Sequence, residues 1–163
     1  MAALLGALAL LLAAQQPASD PAEALRQSTA AHDQAVGAES VDAARAEALY
    51  RRALGIRPQQ WESSLRLGTL LMGQGVGREA EAEAALRYTI DIGVRRRADL
   101  CAPRTNLGVL LTERAFGDGH GAARARRPPL ADRAAAAGFA TEALAQFDAA
   151  AGAGGCDIAR LNA

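Results

Sequence analysis

Lysine is missing altogether from this chain: all eighteen basic residues are arginine, and eighteen acidic residues balance them. A chain without net charge has no strong field with which to hold nucleic acid or an anionic membrane surface. The arginine bias itself reads as the codon usage of a GC-rich genome rather than as selection for forked anion contacts. Aromatic residues supply only 4% of the composition, and no stretch alternates Val, Ile, Thr and aromatics with a period of two, which excludes a sheet-based fold. Histidine occurs twice (His32 and His120) and cysteine twice (Cys101 and Cys156). Such an inventory lacks the ligand spacing of a zinc site and supplies no Ser/His/Asp or Cys/His set, so no metal, no cofactor and no enzymatic activity are expected. The GQGVG stretch at Gly73 follows an amphipathic helix instead of a strand, and reads as an inter-helix turn rather than a phosphate loop.

Alanine is what the chain has in abundance. Half of the residues are hydrophobic, and alanine provides most of them. It has the highest helix propensity and little volume, so closely approaching helices around a thin core are expected. The 163 residues suffice for one domain. Residues 1–20 hold an apolar run, MAALLGALALLLAA, of secretory h-region length and too short to span a membrane. They are read as a signal peptide or signal anchor, with Ala14 or Ala18 last before cleavage, which implies a secreted, extracellular or periplasmic protein. The alternative is an apolar helix packed on the first repeat of a cytoplasmic protein.

Helices are expected over Pro21–Ala38, Val41–Ile56 with Ser40 as N-cap, Trp61–Met72, Arg78–Ile92, Asp99–Ala115 and Leu130–Ala151. Gly73, Gly75 and Gly77 mark a turn. Gly93–Ala98, with Arg95, Arg96 and Arg97, reads as a linker, and 116–129 as an insertion rich in Gly, Arg and Pro. Within that insertion RARR (Arg124–Arg127) reads as a solvated loop rather than a processing site.

Two of these helices are variants of one motif. SSLRLGTLL places Leu67, Gly68 and Leu71 as RTNLGVLL places Leu107, Gly108 and Leu111, 40 residues apart. Other helices carry a small–aromatic–small stripe: Ala46, Tyr50 and Ala53 followed by Pro58, and again Ala143, Phe147 and Ala150. In the middle unit Ala80 and Ala84 fit the stripe, and Arg87 stands where a small residue is expected. A helix pair of this kind cannot bury its face alone, so stacking is obligatory.

This pattern resembles the tetratricopeptide repeat family, in about three imperfect copies over residues 40–151, with 21–163 as the repeat domain. The 40-residue spacing is wider than the family's roughly 34. The resemblance implies an all-α fold, a right-handed α-α superhelix of antiparallel helix pairs, and a role as a scaffold that binds a protein or peptide in a groove. The groove positions it implies are Leu65, Thr69, Met72, Thr105, Val109 and Thr112, with Arg66, Asn106 and Glu113 as polar selectors. Family members that grip a carboxylate use Lys and Asn where this chain has Leu65 and Thr69, which argues against such a clamp here. The rival reading is the non-catalytic N-terminal or accessory part of a larger enzyme. Cys101 and Cys156 each precede a repeat-like helix. A disulfide closing 55 residues, or two equivalent buried thiols too far apart to bond, are both open.

Overall fold

The computed structural model describes residues 20–75, 77–116, 133–152 and 156, and among these it contains helix and turn but no strand. The apolar segment at 1–19, the RARR motif, His120 and nearly all of the 116–129 insertion lie outside the described residues. Six helices follow one another: α1 (Pro21–Ala38), α2 (Ala43–Ile56), α3 (Trp61–Gly73), α4 (Glu79–Arg96), α5 (Cys101–Phe116) and α6 (Arg133–Ala151). They pack as three adjacent hairpins, α1 on α2, α3 on α4 and α5 on α6, and each hairpin leans more lightly on the next. This is an all-α helical-repeat arrangement.

Local chemistry sets the boundaries. Asp20 caps α1 by accepting from the Ala22 amide at 3.0 Å, with Pro21 at the first helical position. The cap of α2 is Asp42 and not the expected Ser40: its carboxylate accepts from the Arg45 amide at 2.9 Å, while Ser40 sits in the preceding turn. Gly75 and Gly77 both have positive φ, which only glycine adopts freely, and so turn the chain between α3 and α4. Of the expected Gly93–Ala98 linker, residues 93–96 are instead the last turn of α4, and only Arg97 and Ala98 lie beyond it. Gly93 leaves room for Leu100, which packs where a Cβ would stand, and Arg95 and Arg96 suit the negative end of the helix dipole. The helix stops at Arg97, which takes up a left-handed conformation.

The core is one thin layer of Ala35, Ala46, Tyr50, Leu67, Leu71, Ala82, Leu86, Leu107, Leu110, Leu111 and Ala143. Ala46, Tyr50 and Ala53 are fully buried, and Ala143 and Ala150 nearly so. Phe147 is only half-buried, because no further hairpin covers α6 among the described residues. The leucine–glycine motifs bring helices together as their composition demands. A Cβ on Gly68 would lie 2.9 Å from Leu86, and one on Gly108 would lie 2.7 Å from the Phe147 ring.

In the middle hairpin the buried stripe falls two residues later than the sequence suggests. Ala80, Ala84 and Arg87 are exposed, whereas Ala82, Leu86 and Thr89 are buried. These lie 36 residues beyond Ala46, Tyr50 and Ala53. The same shift carries Ser28, Ala31 and Ala35 of α1 onto Ser64, Leu67 and Leu71 of α3, all buried. His32 therefore occupies the place of Gly68. Its ring tilts against Tyr50 at 5.7 Å between centroids, and its Nδ1 is hydrogen-bonded to Ser63 at 2.9 Å, linking the first hairpin to the second.

Candidate functional site

The repeat register defines an accessible row on each first helix, beside its buried stripe. On α3 the row is Leu65, Arg66, Thr69 and Met72; on α5 it is Thr105, Asn106, Val109 and Thr112, with Glu113 following. The register adds a row that the leucine–glycine motif could not reveal, Thr29, Ala30, Asp33 and Val36 on α1, all exposed. Because α1 has His32 where the motif has glycine, the 36-residue shift between buried positions is the signal that finds this row.

The structure brings the α3 and α5 rows together. Asn106 donates its amide to the Thr69 hydroxyl at 2.9 Å, and Thr69 in turn donates to the Leu65 carbonyl at 3.0 Å. Thr112 donates back to the Gly108 carbonyl at 2.8 Å, the usual way for a threonine to be satisfied within a helix. Leu65 and Met72 keep only part of their surface open because they also pack on the core. Val109 and Glu113 are half-buried. Of the expected polar selectors, then, Asn106 is committed to Thr69. Arg66 remains 52% exposed and pairs with Glu39 at 3.3 Å.

Between the α1–α2 turn and α3 lies an open concavity of about 300 Å³, lined by Glu39, Ala43, Arg66, Thr69, Leu70, Gly73 and Gln74. Its lining is apolar or small at Ala43, Leu70 and Gly73, and Glu39 and Arg66 give it a charged pair. Glu39 is held from two sides, since it also accepts from the Tyr50 hydroxyl. Burial, together with that bond to Glu39, pushes the Tyr50 phenol far above its ordinary range, so it remains a donor. The charged pair is thus built on the buried aromatic of the repeat stripe.

Cys101, the first residue of α5, is bonded to Cys156, with Cα atoms 5.3 Å apart. The bond sets Cys156 against the α5 row, its sulfur 3.9 Å from the Thr105 hydroxyl. The His32–Ser63 contact is not a nucleophile and base, because the Ser63 side chain is fully buried and no substrate reaches it. Among the described residues no three His, Cys, Asp or Glu side chains gather as a metal site, and no helix is long and apolar enough to cross a membrane. No family model matches the chain, and no curated protein and no solved structure matches it.

Proposed function

We propose that this chain is a non-catalytic helical-repeat scaffold of the tetratricopeptide type, which holds an extended protein or peptide segment across α1, α3 and α5. One observation carries the reading. Three successive first helices present register-equivalent, accessible rows, of which those on α3 and α5 are joined by the Asn106–Thr69 bond, and a concavity opens beside Arg66. The exposed parts of Leu65, Met72 and Val109 supply apolar contact, and hydroxyls and amides between them offer a partner backbone its hydrogen bonds. A disulfide between Cys101 and Cys156 persists in oxidising compartments, which supports a secreted or periplasmic setting.

The test uses affinity capture from the source cell with the full chain and with a Leu65→Glu, Val109→Glu variant. The captured segment is then synthesised and titrated onto both proteins. Both side chains are partly open, and far-UV circular dichroism of the variant, expected to match wild type, establishes that it is folded before binding is compared. Two carboxylates placed on the apolar row are expected to weaken binding by about tenfold or more. Equal affinity for both proteins would show that the partner sits elsewhere.

A further inference from the structure

The ion pairs that tie one hairpin to the next recur at a fixed register. Arg51 of α2 meets Glu81 of α4 at 2.6 Å, and Arg87 of α4 meets Glu142 of α6 at 2.6 Å. Counted from the large residue of each buried stripe, the positions are the same. Arg51 and Arg87 stand one residue after Tyr50 and Leu86, and Glu81 and Glu142 stand five before Leu86 and Phe147. The series has an open position at each end of the stack. One residue after Phe147 is Asp148, and five before Tyr50 is Arg45. Both are exposed, and neither enters an ion pair among the described residues.

These open charges are opposite in sign, and each is the reverse of its interior counterparts. The reversal extends to the neighbouring positions. Three residues before the large stripe residue stand Glu47 and Glu83, and Glu47 takes the cation Arg78 at 2.6 Å. In α6 that position holds the neutral Leu144, and the counterpart of Arg78 on the first hairpin, eight residues before Tyr50, is the acid Asp42. A glutamate at position 144 would face Asp42 with like charge; leucine does not. Val41, beside Asp42, and Leu144 are the most exposed large hydrophobic side chains among the described residues, at 83% and 64%. The outer side of α6 is also short of polar groups. Only Arg133, Glu142 and Asp148 of its nineteen residues are charged, Arg87 already holds Glu142, and Ala134, Ala137, Leu144 and Ala145 are exposed. A helix apolar on all sides belongs under a neighbour, whereas a hairpin that ends a stack needs a polar outer face.

We propose that the two ends of the stack are complementary, and that a second copy of this chain docks head to tail: α6 of one copy receives the start of α2 of the next. Asp148 pairs with Arg45, and Leu144 packs on Val41. The contact continues the interface that already joins successive hairpins, with its polarity reversed. That reversal disfavours wrong pairings, because Arg45 meets Arg51 or Arg87 with like charge. The two surfaces differ, so the contact is heterologous, and association proceeds past a dimer to a ring or a filament.

Sedimentation velocity of the full chain over a concentration series, without reducing agent, reads the association. Wild type is expected to gain mass with concentration, and less of it in high salt. Asp148→Arg and Arg45→Glu each bring like charges together, and each alone is expected to weaken association about tenfold or more. Mixed in equal amounts, the two variants restore opposite charges at both alternating contacts and are expected to associate as wild type does. That recovery also shows that each variant is folded. Leu144→Glu is expected to weaken association as the single charge swaps do. The Leu65→Glu, Val109→Glu variant is expected to associate unchanged, so this interface and the groove stand or fall separately. A wild-type chain that stays monomeric at about 1 mM, as it does if another part of the same chain covers α6, overturns the proposal. Association that survives both single charge swaps, or that the mixture fails to restore, overturns it too.

Discussion

At the scale of single residues, two glycines do opposite work from their neighbours of the same type. Gly→Ala in a helix ordinarily stabilises by about 0.5–1 kcal/mol, because alanine loses less backbone freedom on folding. Gly55 in α2 has nothing within 4 Å of where a Cβ would stand, so Gly55→Ala is expected to show that gain. Gly108 has three ring atoms of Phe147 between 2.7 and 3.0 Å from its virtual Cβ, and Gly68 has Leu86 at 2.9 Å. There the same substitution must push two helices apart, at a cost of about 1–3 kcal/mol that outweighs the propensity gain. Gly68→Ala should suffer less than Gly108→Ala, because one atom of Leu86 stands under 3 Å from the added carbon whereas two ring atoms of Phe147 do, and more closely. Urea midpoints of the three variants test the order: Gly55→Ala above wild type, Gly68→Ala below it, Gly108→Ala lowest. A Gly108→Ala midpoint above wild type would mean that the close approach of α5 and α6 is not required. His32, at the equivalent place in α1, shows another solution, filling the gap with a ring that touches Tyr50 and binds Ser63.

At the scale of helices, the second member of each hairpin is tied to the next hairpin by charge. Glu47 and Arg51 of α2 pair with each other, and they reach Arg78 at 2.6 Å and Glu81 at 2.6 Å. The same positions on α4, 36 residues on, are Glu83 and Arg87; these pair together and reach Arg114 of α5 and Glu142 of α6. Arg78 and Arg51 hold the Glu47 carboxyl down to about 2, against burial that works the other way. A carboxylate whose folded value is depressed adds stability that is complete above its unfolded value of about 4.5 and is lost as pH falls toward 2. Glu47→Gln should therefore cost about 1 kcal/mol at neutral pH, most of the Coulomb gain being screened at a partly exposed site, and nothing near pH 2. Thermal melts across that range check it, and a cost independent of pH would assign Glu47 a packing role instead. This ladder also explains what could be read in advance. The leucine–glycine motifs, the stripes at Tyr50 and Phe147 and the six helices of the described residues were legible because large residues or glycine mark the contact face. The stripe of α4 was not, because alanine fits inside and outside a helix alike. With Ala80, Ala82, Ala84 and Ala85 all available, only the position of Leu86 over Gly68 sets the register. Arg87, the residue that looked out of place, belongs to the ladder. The accessible rows beside the buried stripe were legible on α3 and α5 and hidden on α1, where His32 masks the motif.

At the scale of the whole molecule, stability in a stacked chain is the sum of what each hairpin holds and what it shares with its neighbours. The middle hairpin, α3 with α4, is covered on both sides, whereas α1–α2 and α5–α6 each have one neighbour among the described residues. Local opening should therefore start at the outer hairpins and reach α3 and α4 last. The disulfide modifies this gradient at one end. It closes 55 residues between the start of α5 and the chain just past α6, and such a closure is worth up to about 4 kcal/mol in the chain-entropy account. All of that benefit falls on the hairpin it encloses. Without it, α6 is held by Ala143, Phe147 and Ala150 against α5, by Phe139 under the Arg114 guanidinium, by the Arg104–Gln146 hydrogen bond and by the Arg87–Glu142 bridge. Cys101→Ser, Cys156→Ser is thus expected to speed amide hydrogen exchange in α6 and α5 and to leave α1 and α2 unchanged, with α3 and α4 still the slowest. Mass spectrometry of the exchanging chain reads each helix separately. If protection instead fell by the same factor in all six helices, the chain would open as a single cooperative unit, and its hairpins could not be treated as a nearest-neighbour stack.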